Sequence, residues 1–565
     1  MNAGFAGRTR QEMWDHIERE TFDILVIGGG ITGAGIALDA AARGLKVALV
    51  EMQDFAAGTS SRSTKLVHGG LRYLKQLEVG MVAEVGRERA VVYENGPHVT
   101  TPERMLLPFH QGGTFGRFST ALGLLVYDRL AGVKLSERRR MLSAEETLKK
   151  EPLLKRDKLK GGGSYVEYRT DDARLTLEVI KEAAAQGAVI LNYATAGKLL
   201  YQEGRITGVV ANDLLSGRQN TIRANLVINA TGPWVDDLRK LDGSRKGKTL
   251  QLTKGVHLVI DQSIFPLRQA VYFDTPDGRM VFAIPRDGKT YVGTTDTVYT
   301  GDQRHPRMTS ADRQYILDAV HYMFPDVRLT EKDVESSWAG VRPLIHEEGK
   351  GPSEISRKDE IWQSPSGLIT IAGGKLTGYR KMAEMVMDLA AERLKREYGI
   401  QSGPCVTRRH PISGGSVGGS QGFKEFISSM TREGVRRGLA EEQARAWACF
   451  YGSNVTRLFN RLSQSADPGP SAADDRLPES VRIPLLYAME EEMAVTPADF
   501  FIRRTGALFF RIDWVRTWKE PVIAFMAAHL GWNAVQTQGY KEELERYLLE
   551  AVVPEDVKTQ AVQTI

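Results

Sequence analysis

Residues 22–52 read FDILVIGGGITGAGIALDAAARGLKVALVEM, and this stretch decides the fold. A short apolar run ends at Gly28, Gly30 and Gly33, which form the pattern G-x-G-x-x-G. A run with helical spacing follows, and a second apolar run ends in Glu51. This order predicts a buried parallel strand, a tight turn, a helix and a second strand.

Each glycine of this pattern has a separate task. Gly28 permits the tight turn, Gly30 lets the backbone approach a pyrophosphate, and Gly33 lets the helix pack closely on the strand. The helix N-terminus faces the phosphate charge. Glu51 lies about 20 residues further on, where a carboxylate can accept hydrogen bonds from ribose hydroxyls. The stretch therefore predicts a dinucleotide site, with a purely structural βαβ unit as the alternative.

Length and composition limit the classes of protein. The chain has 565 residues, enough for two to four domains at about 150 residues each, and its net charge of +5 does not argue for nucleic acid. Its two cysteines, Cys405 and Cys449, form no CxxC pattern, which excludes a disulfide scaffold and a cysteine-rich metal site. No metal is expected. A polar N-terminal stretch and the lack of a run of about 18 apolar residues favour a soluble or peripheral protein.

Two further glycine turns favour FAD over NAD. ANLVINATGPW (224–234) is a strand that runs into small residues, and GLITIAGGKLTGYRKMAEMVMDLA (367–390) is a third strand–glycine–helix unit. AVILNYATAGKLL (188–200) adds a strand ahead of the first of these turns. A long, extended cofactor touched at several points explains such turns better than a short one. Ordinary tight turns between strand and helix remain the alternative for either unit alone.

The motifs occur in an order that resembles one family. SSRSTKLVHGGLRYL (60–74), VEYRTDDARL (166–175), NATGPWV (229–235), VGTTDT (292–297), GVRPL (340–344), GGKLTGYRKMAE (373–384) and AMEEEMAVTPADFFIRRTGALFF (488–510) follow the glycine pattern. Together they resemble the FAD-dependent glycerol-3-phosphate dehydrogenases over nearly the whole chain. The resemblance implies oxidation of sn-glycerol 3-phosphate to dihydroxyacetone phosphate by hydride transfer to FAD, with the electrons passed on to membrane quinone.

The same resemblance implies an α/β fold with an all-α tail. A Rossmann-like FAD-binding domain is interleaved with a β-sheet substrate domain, as in amino-acid oxidases, and a C-terminal helical domain follows. The predicted FAD-binding domain takes residues 1–80, 155–255 and 335–400. The substrate domain takes 81–154 and 256–334, and the helical domain takes 401–565.

The segment at residues 58–68, GTSSRSTKLVH, is expected to line the flavin. It is too polar for a core strand, and its hydroxyl and lysine side chains can donate hydrogen bonds to a polar ring system. A solvated turn is the alternative for the hydroxyl cluster, and a structural histidine is the alternative for the last residue. The predicted cofactor-binding residues are Gly28, Gly30, Ile31, Thr32, Gly33, Glu51, Ser61, Ser63, Thr64, Lys65, His68, Gly69, Ala196, Ala230, Thr231, Gly232, Gly373, Gly374, Leu376 and Thr377.

Cationic residues beside the predicted turns suit an anionic substrate, because guanidinium forks match the geometry of a phosphate. In the family that the chain resembles, a basic cluster of this kind binds the substrate phosphate. The predicted substrate-binding residues are Arg72, Tyr73, Arg342, Arg357, Lys375 and Arg380, with Thr295 and Asp296 as further pocket residues. A solvated surface position is the alternative for Arg357 and Arg380. The predicted catalytic residues are His257, Lys375 and Arg342, and the sequence does not decide whether histidine, lysine or water accepts the substrate proton.

Residues 115–140 are apolar and helical and end in a basic cluster. They suit either the surface of an anionic membrane or a core helix with a solvated basic end. The resemblance supports the membrane alternative, and we expect a cytoplasmic protein attached peripherally to the inner face of the cell membrane. A homodimer is an expectation without its own sequence signal. Oxygen as electron acceptor, an amine or amino-acid oxidase on the same fold, and a non-catalytic flavin-binding module are the alternative functions.

Overall fold

The fold is described from a computed structural model. The structure describes residues 10–68, 79–113, 139–347, 359–373, 375–464 and 477–557. The side chains of residues 79–82 and 463–464 lie outside this description.

The first part of the chain alternates helices with strands. Its elements are α1 (Arg10–Arg19), β1 (Thr21–Ile27), α2 (Ile31–Ala42), β2 (Val47–Val50), β3 (Leu66–Val67), α3 (Val79–Asn95), β4 (Thr100–His110), β5 (Arg140–Leu142), α4 (Ala144–Lys150), β6 (Leu159–Thr170), α5 (Asp172–Ala185), β7 (Val189–Leu191), β8 (Ala194–Gln202), β9 (Arg205–Asp213), β10 (Gln219–Asn229) and α6 (Val235–Leu241).

The middle of the chain is mostly strand and the end is helical. The middle elements are β11 (Thr249–Asp261), β12 (Ala270–Asp274), β13 (Met280–Arg286), β14 (Lys289–Gly293), β15 (Thr297–Val298), α7 (Ser310–Met323), β16 (Val334–His346), β17 (Glu360–Gln363), β18 (Ile369–Ala372) and α8 (Tyr379–Tyr398). The helical end contains α9 (Gly419–Arg436), α10 (Glu441–Tyr451), α11 (Val455–Gln464), α12 (Glu479–Glu491), a π-helical turn at Asp499–Arg504, α13 (Ala507–Phe510), α14 (Ile512–Leu530) and α15 (Ala534–Val552).

The first sheet carries the glycine-rich turn. Its strands follow the order β17–β18–β10–β1–β2–β7, and β8 and β9 extend it from β10. β1 lies between β10 and β2 and is parallel to both, with Ile24 paired to Leu226 on one side and to Val47 on the other. All four residues of β2 are buried, as expected for a strand covered on both faces. α2 follows the turn and packs against α5 and α8.

The second sheet is mainly antiparallel and brings β11 and β16 together. Its strands follow the order β15–β11–β14–β13–β12–β4–β6–β3, with β16 on β11 and β5 on β6. Gly255 of β11 pairs with Gly340 of β16. β13 and β14 form a hairpin that turns at Asp287–Gly288, where both residues have positive φ and Arg286 pairs with Lys289 across the turn.

The sheet memberships depart from the predicted domain bounds. The predicted FAD-binding segments 1–80, 155–255 and 335–400 include β3, β6, the first part of β11 and most of β16, yet all four strands belong to the second sheet. The physical reason is pairing: β6 runs antiparallel along β4, and β16 runs antiparallel along β11. An alternating apolar pattern predicts a strand but does not name its partner.

The C-terminal helices pack on the back of the second sheet. Tyr291 and Trp338 of that sheet share one hydrophobic cluster with Phe509 and Phe510. The ring centroids of Trp338 and Phe509 are 5.3 Å apart. Within the described part of the chain, no helix combines the length and the hydrophobicity needed to span a membrane.

Candidate functional site

A cavity of about 970 Å³ is lined by residues of both sheets. Gly28 and Glu51 contribute from the carboxyl ends of β1 and β2, Tyr272 from β12, and Arg342 from β16. The carboxyl ends of parallel strands are where open α/β sheets bind ligands. The cavity therefore joins a nucleotide-type turn to a wall built by the second sheet.

The glycine-rich turn is shaped by backbone contacts. Gly28 has φ of +114°, and a Cβ there would lie 2.5 Å from the carbonyl oxygen of Ala230. A Cβ at Gly33 would overlap the carbonyl oxygen of Gly28, so the helix and strand approach as closely as the pattern predicts. Around Gly30, the only atom of the described residues within 4 Å of such a Cβ is Ser60 Oγ, at 3.1 Å. The turn thus leaves open space at the position where a pyrophosphate approaches the backbone.

Glu51 fixes this turn as well as lining the cavity. Its Oε2 accepts a hydrogen bond from the N–H of Gly29 at 2.6 Å, and its Oε1 accepts one from the N–H of Gln53 at 2.8 Å. Burial raises the pKa of the carboxyl, although those N–H groups act in the opposite direction. Ser60, which sequence reasoning missed, also lines the cavity and accepts from the N–H of Ile31 at 2.9 Å. Its position in the polar run at 58–68 was the available signal, because its contact with Ile31 spans 29 positions.

The segment at 58–68 lies along the cavity, but its residues do not all face it. Ser63, Thr64 and His68 line the cavity, whereas Ser61 and Lys65 do not. Ser61 is buried, and Lys65 Nζ contacts Asp172 Oδ1 at 2.6 Å and the carbonyl oxygen of Ser61 at 3.0 Å. The Lys65 ammonium is therefore already held by Asp172 and Ser61, and neither Ser61 nor Lys65 lines the cavity, so their predicted hydrogen bonds to the cofactor stay a prediction.

Ser63 has little hydrogen-bonding capacity left for a ligand. Its hydroxyl donates to Asp172 Oδ2 at 2.7 Å and accepts from the N–H of Lys65 at 2.9 Å. Its own N–H also donates to Asp172 Oδ2, at 2.9 Å. The side chain of Ser63 therefore holds the segment in shape while its residue lines the cavity.

Three aromatic side chains support the same segment from behind. His257 Nε2 lies 3.1 Å from Thr64 Oγ1, Tyr291 OH donates to the carbonyl oxygen of Thr64 at 3.1 Å, and Trp338 Nε1 donates to that of Ser63 at 3.0 Å. His257 is 1% exposed and stacks on Trp338 with 4.8 Å between ring centroids. The predicted catalytic role of His257 is corrected, because the ring lies behind Thr64 and does not line the cavity.

The third glycine turn closes the cavity beside the segment. Gly373 has φ of +98°, and Thr377 Oγ1 lies 3.1 Å from both the N and the O of His68. This pair of contacts fixes His68 against the turn. The described residues of the predicted turns that line the cavity are Gly28, Gly30, Ile31, Thr32, Glu51, Ala196, Ala230, Thr231, Gly232, Gly373, Lys375, Leu376 and Thr377.

A cationic wall faces the same space. Arg342 Nη2 donates to Thr294 Oγ1 at 3.2 Å, and Arg342 Nη1 is 3.8 Å from Asp296 Oδ1. A Cβ at Gly255 would lie 3.0 Å from Arg342 Nη2, so the bare backbone of β11 makes room for the guanidinium. Asp296 lines the cavity, whereas the buried Thr295 accepts from a backbone N–H behind it.

His68 lies between these cations and an aromatic surface. Its ring meets Phe282 edge-on at 5.9 Å, and Phe282 stacks on Tyr272 at 4.1 Å. Burial lowers the pKa of His68, Glu167 opposes that change, and Arg342 and Lys375 lower the pKa further. The ring is therefore neutral at neutral pH and can accept a proton.

Arg380 does not belong to this wall. Its guanidinium contacts Glu88 Oε1 at 2.6 Å and Glu384 Oε2 at 2.7 Å. Burial would lower the pKa of Arg380, but the hydrogen bond and charge of Glu88, with those of Glu384, raise it. The predicted substrate-binding role is corrected, because the two carboxylates already use the guanidinium in a buried site that does not line the cavity.

Several predicted site residues cannot be placed. Gly69, Arg72, Tyr73, Arg357 and Gly374, and residues 114–138 of the predicted membrane stretch, lie outside the described residues. Among the residues that are described, no group of His, Cys, Asp or Glu is arranged to hold a metal ion.

Comparison with known proteins assigns a family to this geometry. The profile described as FAD dependent oxidoreductase matches residues 23–380, and the profile described as the C-terminal domain of alpha-glycerophosphate oxidase matches residues 405–537. The aerobic glycerol-3-phosphate dehydrogenase of Bacillus subtilis (strain 168) is 62% identical over 98% of this chain and 99% of its own length. The protein of that name from Staphylococcus aureus (strain USA300) is 57% identical over 96% of this chain and 97% of its own length.

A solved structure agrees with the same assignment. The glycerol-3-phosphate dehydrogenase from Bacillus halodurans, determined in complex with FAD, is 50% identical and superimposes with a TM-score of 0.85. The match covers 98% of this chain and 100% of that one. The predicted fold class, an FAD-binding domain combined with a second sheet and a C-terminal helical domain, is confirmed.

Proposed function

Because the chain belongs to the family of FAD-dependent glycerol-3-phosphate dehydrogenases, we propose that it oxidises sn-glycerol 3-phosphate to dihydroxyacetone phosphate. The observation that carries the proposal is the wall formed by Arg342, Lys375 and neutral His68, in the same cavity as the glycine-rich turn. Two cations beside a proton acceptor suit a phosphorylated alcohol. A carboxylate substrate would need only one cation.

The cations bind and orient the phosphate in this proposal. Arg342 presents a guanidinium fork, which can form two parallel hydrogen bonds to phosphate oxygens. Lys375 adds a compact charge from the residue before the turn at Leu376–Gly378. Thr294 and Asp296, which line the same cavity, hold the guanidinium, so the fork is oriented before substrate arrives.

His68 is the proton acceptor for the C2 hydroxyl. FAD, when it is bound, supplies the acceptor for the hydride that leaves C2. His68 lines the cavity and is neutral at neutral pH, whereas His257 is covered by Thr64. The aromatic pair of Tyr272 and Phe282 limits water around the imidazole and so preserves its ability to take the proton.

Steady-state kinetics of Arg342→Ala test the proposal. A hydrogen bond to a charged group contributes about 1.5–3 kcal/mol, so kcat/KM for glycerol 3-phosphate should fall by roughly ten- to a few-hundred-fold. Arg342→Lys should recover part of the loss, and turnover of unphosphorylated glycerol should change little. Arg279→Ala is the control, because Arg279 also lines the cavity but pairs with Asp277 at 3.2 Å. Unchanged kcat/KM in Arg342→Ala, or reduction of the flavin by amino acids, would overturn the assignment.

The proposed electron acceptor is a membrane quinone, on the strength of the family resemblance. Oxygen is the second candidate, since the C-terminal profile takes its name from an oxidase. The two are separated by measuring, with glycerol 3-phosphate as donor, reduction of a soluble quinone analogue and formation of hydrogen peroxide. Quinone reduction without matching peroxide supports the dehydrogenase.

We place the protein at the cytoplasmic face of the cell membrane, as a peripheral protein and a homodimer. The apolar and basic sequence at 115–140 and the family resemblance support the membrane position, and the homodimer has no sequence signal of its own. The protein should sediment with anionic vesicles and be partly released by salt. Equal recovery in the supernatant with and without vesicles contradicts the membrane assignment, and a monomer mass in light scattering contradicts the dimer.

A further inference from the structure

The helical C-terminal region touches a loop of the cofactor cavity. The loop at residues 51–57, here called the cofactor loop, follows β2 and passes the glycine-rich turn. Its cavity-lining residues are Glu51, Met52, Gln53, Ala56 and Ala57. Residues 492–510, here called the C-terminal segment, run past the opposite side of this loop.

Asp54 is the side chain of the cofactor loop that meets the C-terminal segment. It is 1% exposed and points away from the cavity. Its carboxylate accepts from Arg503 Nε at 2.5 Å and from Arg504 Nη1 and Nη2 at 2.6 and 2.9 Å. Asn192 Nδ2 donates a further hydrogen bond at 3.0 Å. Four donors, three of them from two guanidinium groups, thus converge on one carboxylate.

The two arginines are themselves fixed inside the C-terminal segment. Arg503 Nη2 also contacts Asp499 Oδ1 at 2.5 Å, and Arg504 Nη2 donates to the carbonyl oxygen of Glu492 at 2.7 Å. Asp499 in turn accepts from the backbone N–H groups of residues 495 and 496. The two guanidinium groups are therefore held in fixed positions. Their hydrogen bonds to Asp54 fix the position of the cofactor loop relative to the C-terminal helical region.

Backbone contacts secure the two halves of the cofactor loop unequally. In the first half, the carbonyl oxygens of Glu51 and Gln53 accept from the N–H groups of Ala194 and Tyr193 at 2.7 and 2.8 Å. In the second half, Ala56 has φ of +62°, and its N–H donates to the carbonyl oxygen of Gly29 at a longer 3.2 Å. The second half depends most on a side-chain anchor, and Asp54 begins that half.

The two guanidinium groups favour the anionic form of Asp54. Burial alone would raise its pKa, but Arg504 and Arg503 outweigh burial and lower the pKa to about 2. A neutral substitute such as asparagine would leave two buried guanidinium groups short of one carboxylate.

We propose that the C-terminal helical region is part of the FAD site, and that Asp54 is a positioning residue through which Arg503 and Arg504 hold the cofactor loop against bound FAD. The region thereby slows release of the cofactor. The proposal concerns cofactor retention, so it holds or fails independently of the substrate.

A second buried ion pair provides the matched control. Arg174 of α5 contacts Glu178 and also Glu492 of the C-terminal segment, but it does not touch the cofactor loop. Arg174 and Arg504 are both buried arginines at the same interface. Arg174→Lys and Arg504→Lys each keep the charge and lose the fork, so they should weaken docking of the helical region similarly.

The test measures FAD affinity and release in the full-length protein, by flavin fluorescence, with thermal unfolding recorded alongside. Arg504→Lys should raise the dissociation constant for FAD about tenfold, mainly through faster release, since a hydrogen bond to a charged group is lost. Arg174→Lys should lower the unfolding temperature and leave FAD affinity within about twofold.

The proposal is overturned if Arg504→Lys leaves FAD affinity unchanged, or if both variants weaken FAD equally, which would indicate a general effect of domain docking. Arg503→Lys is the second variant at the loop and carries the same expectation, so the test stands even if Arg504→Lys does not fold.

Discussion

The glycine-rich turn at 28–33 and the segment at 58–68 line one cavity but are held in place differently. In the turn, the N–H of Gly28 donates to the carbonyl oxygen of Val50 at 2.9 Å, and the N–H of Ala34 donates to that of Gly30 at 2.9 Å. The segment is held by side chains of α5, β11, β14 and β16, which reach it from behind. Backbone contacts shape the turn, with the Glu51 carboxylate and the Ser60 hydroxyl as additional acceptors, whereas distant side chains support the segment.

This difference determines how each region responds to change. The turn fails when a side chain is added, because its atoms already approach each other at contact distance. The segment fails when a supporting side chain is removed, because a buried polar group then loses its partner. Substitutions in the turn should therefore act through steric overlap, and substitutions around the segment should act through the loss of hydrogen-bond partners.

The largest effect is expected in the turn. Gly33→Ala places a Cβ on the carbonyl oxygen of Gly28 and should abolish both FAD binding and stable folding. In the part of the chain that the structure describes, the Cβ of Gly30→Val meets only Ser60 Oγ within 4 Å, so the protein should fold but exclude the cofactor. Flavin absorbance per protein and circular dichroism melting distinguish the two outcomes. Full flavin occupancy in Gly30→Val would show that the pyrophosphate does not approach this residue.

The next effect compares a histidine of the cavity wall with one behind it. His68→Gln should lower kcat/KM by roughly 10²–10⁴-fold, the usual contribution of a general base. His257→Gln should cost much less, because an amide can still contact Thr64. The pKa of His68 is lowered from 6.5 by burial, and falling pH protonates it, so kcat/KM of the wild type should decline only below pH 6.5. Equal losses in the two variants would contradict the assignment.

A supporting ion pair should have the third-largest effect. Asp172→Asn leaves Lys65 buried without its carboxylate, which should cost about 3–5 kcal/mol of unfolding free energy. Adding Lys65→Met to the Asp172→Asn variant removes the unpaired buried ammonium and should restore part of the lost unfolding free energy. Denaturant titrations of both single variants and the double variant measure the coupling. Additive losses would show that the two side chains do not act as a pair.

The smallest effect is expected at Glu51. Glu51→Gln keeps one acceptor for the N–H groups of Gly29 and Gln53 and loses the charge. The dissociation constant for FAD should rise about tenfold or less, as for the loss of one hydrogen bond. Turnover at saturating FAD should stay near wild type. A large fall in kcat under those conditions would place Glu51 closer to the chemistry than the structure does.

The turn could be predicted from the sequence because its determinants are local. Strand, glycines and helix all lie between Thr21 and Ala42, and Glu51 comes directly after the next strand, which ends at Val50. The polar composition of 58–68 also predicted that this segment reaches the cavity. Which of its residues face inward could not be predicted, because Asp172, which holds Lys65, lies 107 positions away.

Two other corrections have the same origin. Arg380 stands beside a glycine turn in sequence, but its partner Glu88 is 292 positions away and keeps the guanidinium from the cavity. His257 shares a face of β11 with Gly255, two residues earlier, as the strand period requires. Thr64, which is 193 positions from His257, covers the ring. Because these partners are so far away in the sequence, the residues around Arg380 and His257 contain no local motif that indicates them.

The hold of Arg503 and Arg504 on Asp54 has a consequence for synthesis of the chain. These contacts join residues 449 and 450 positions apart, and β1 pairs with β10 about 200 positions later in the sequence. Long separations of this kind slow folding, since a large loop must close before each contact forms. A ribosome therefore releases nearly the whole polypeptide before the loop that lines the cofactor cavity gains its anchor, and the nascent chain matures as one unit.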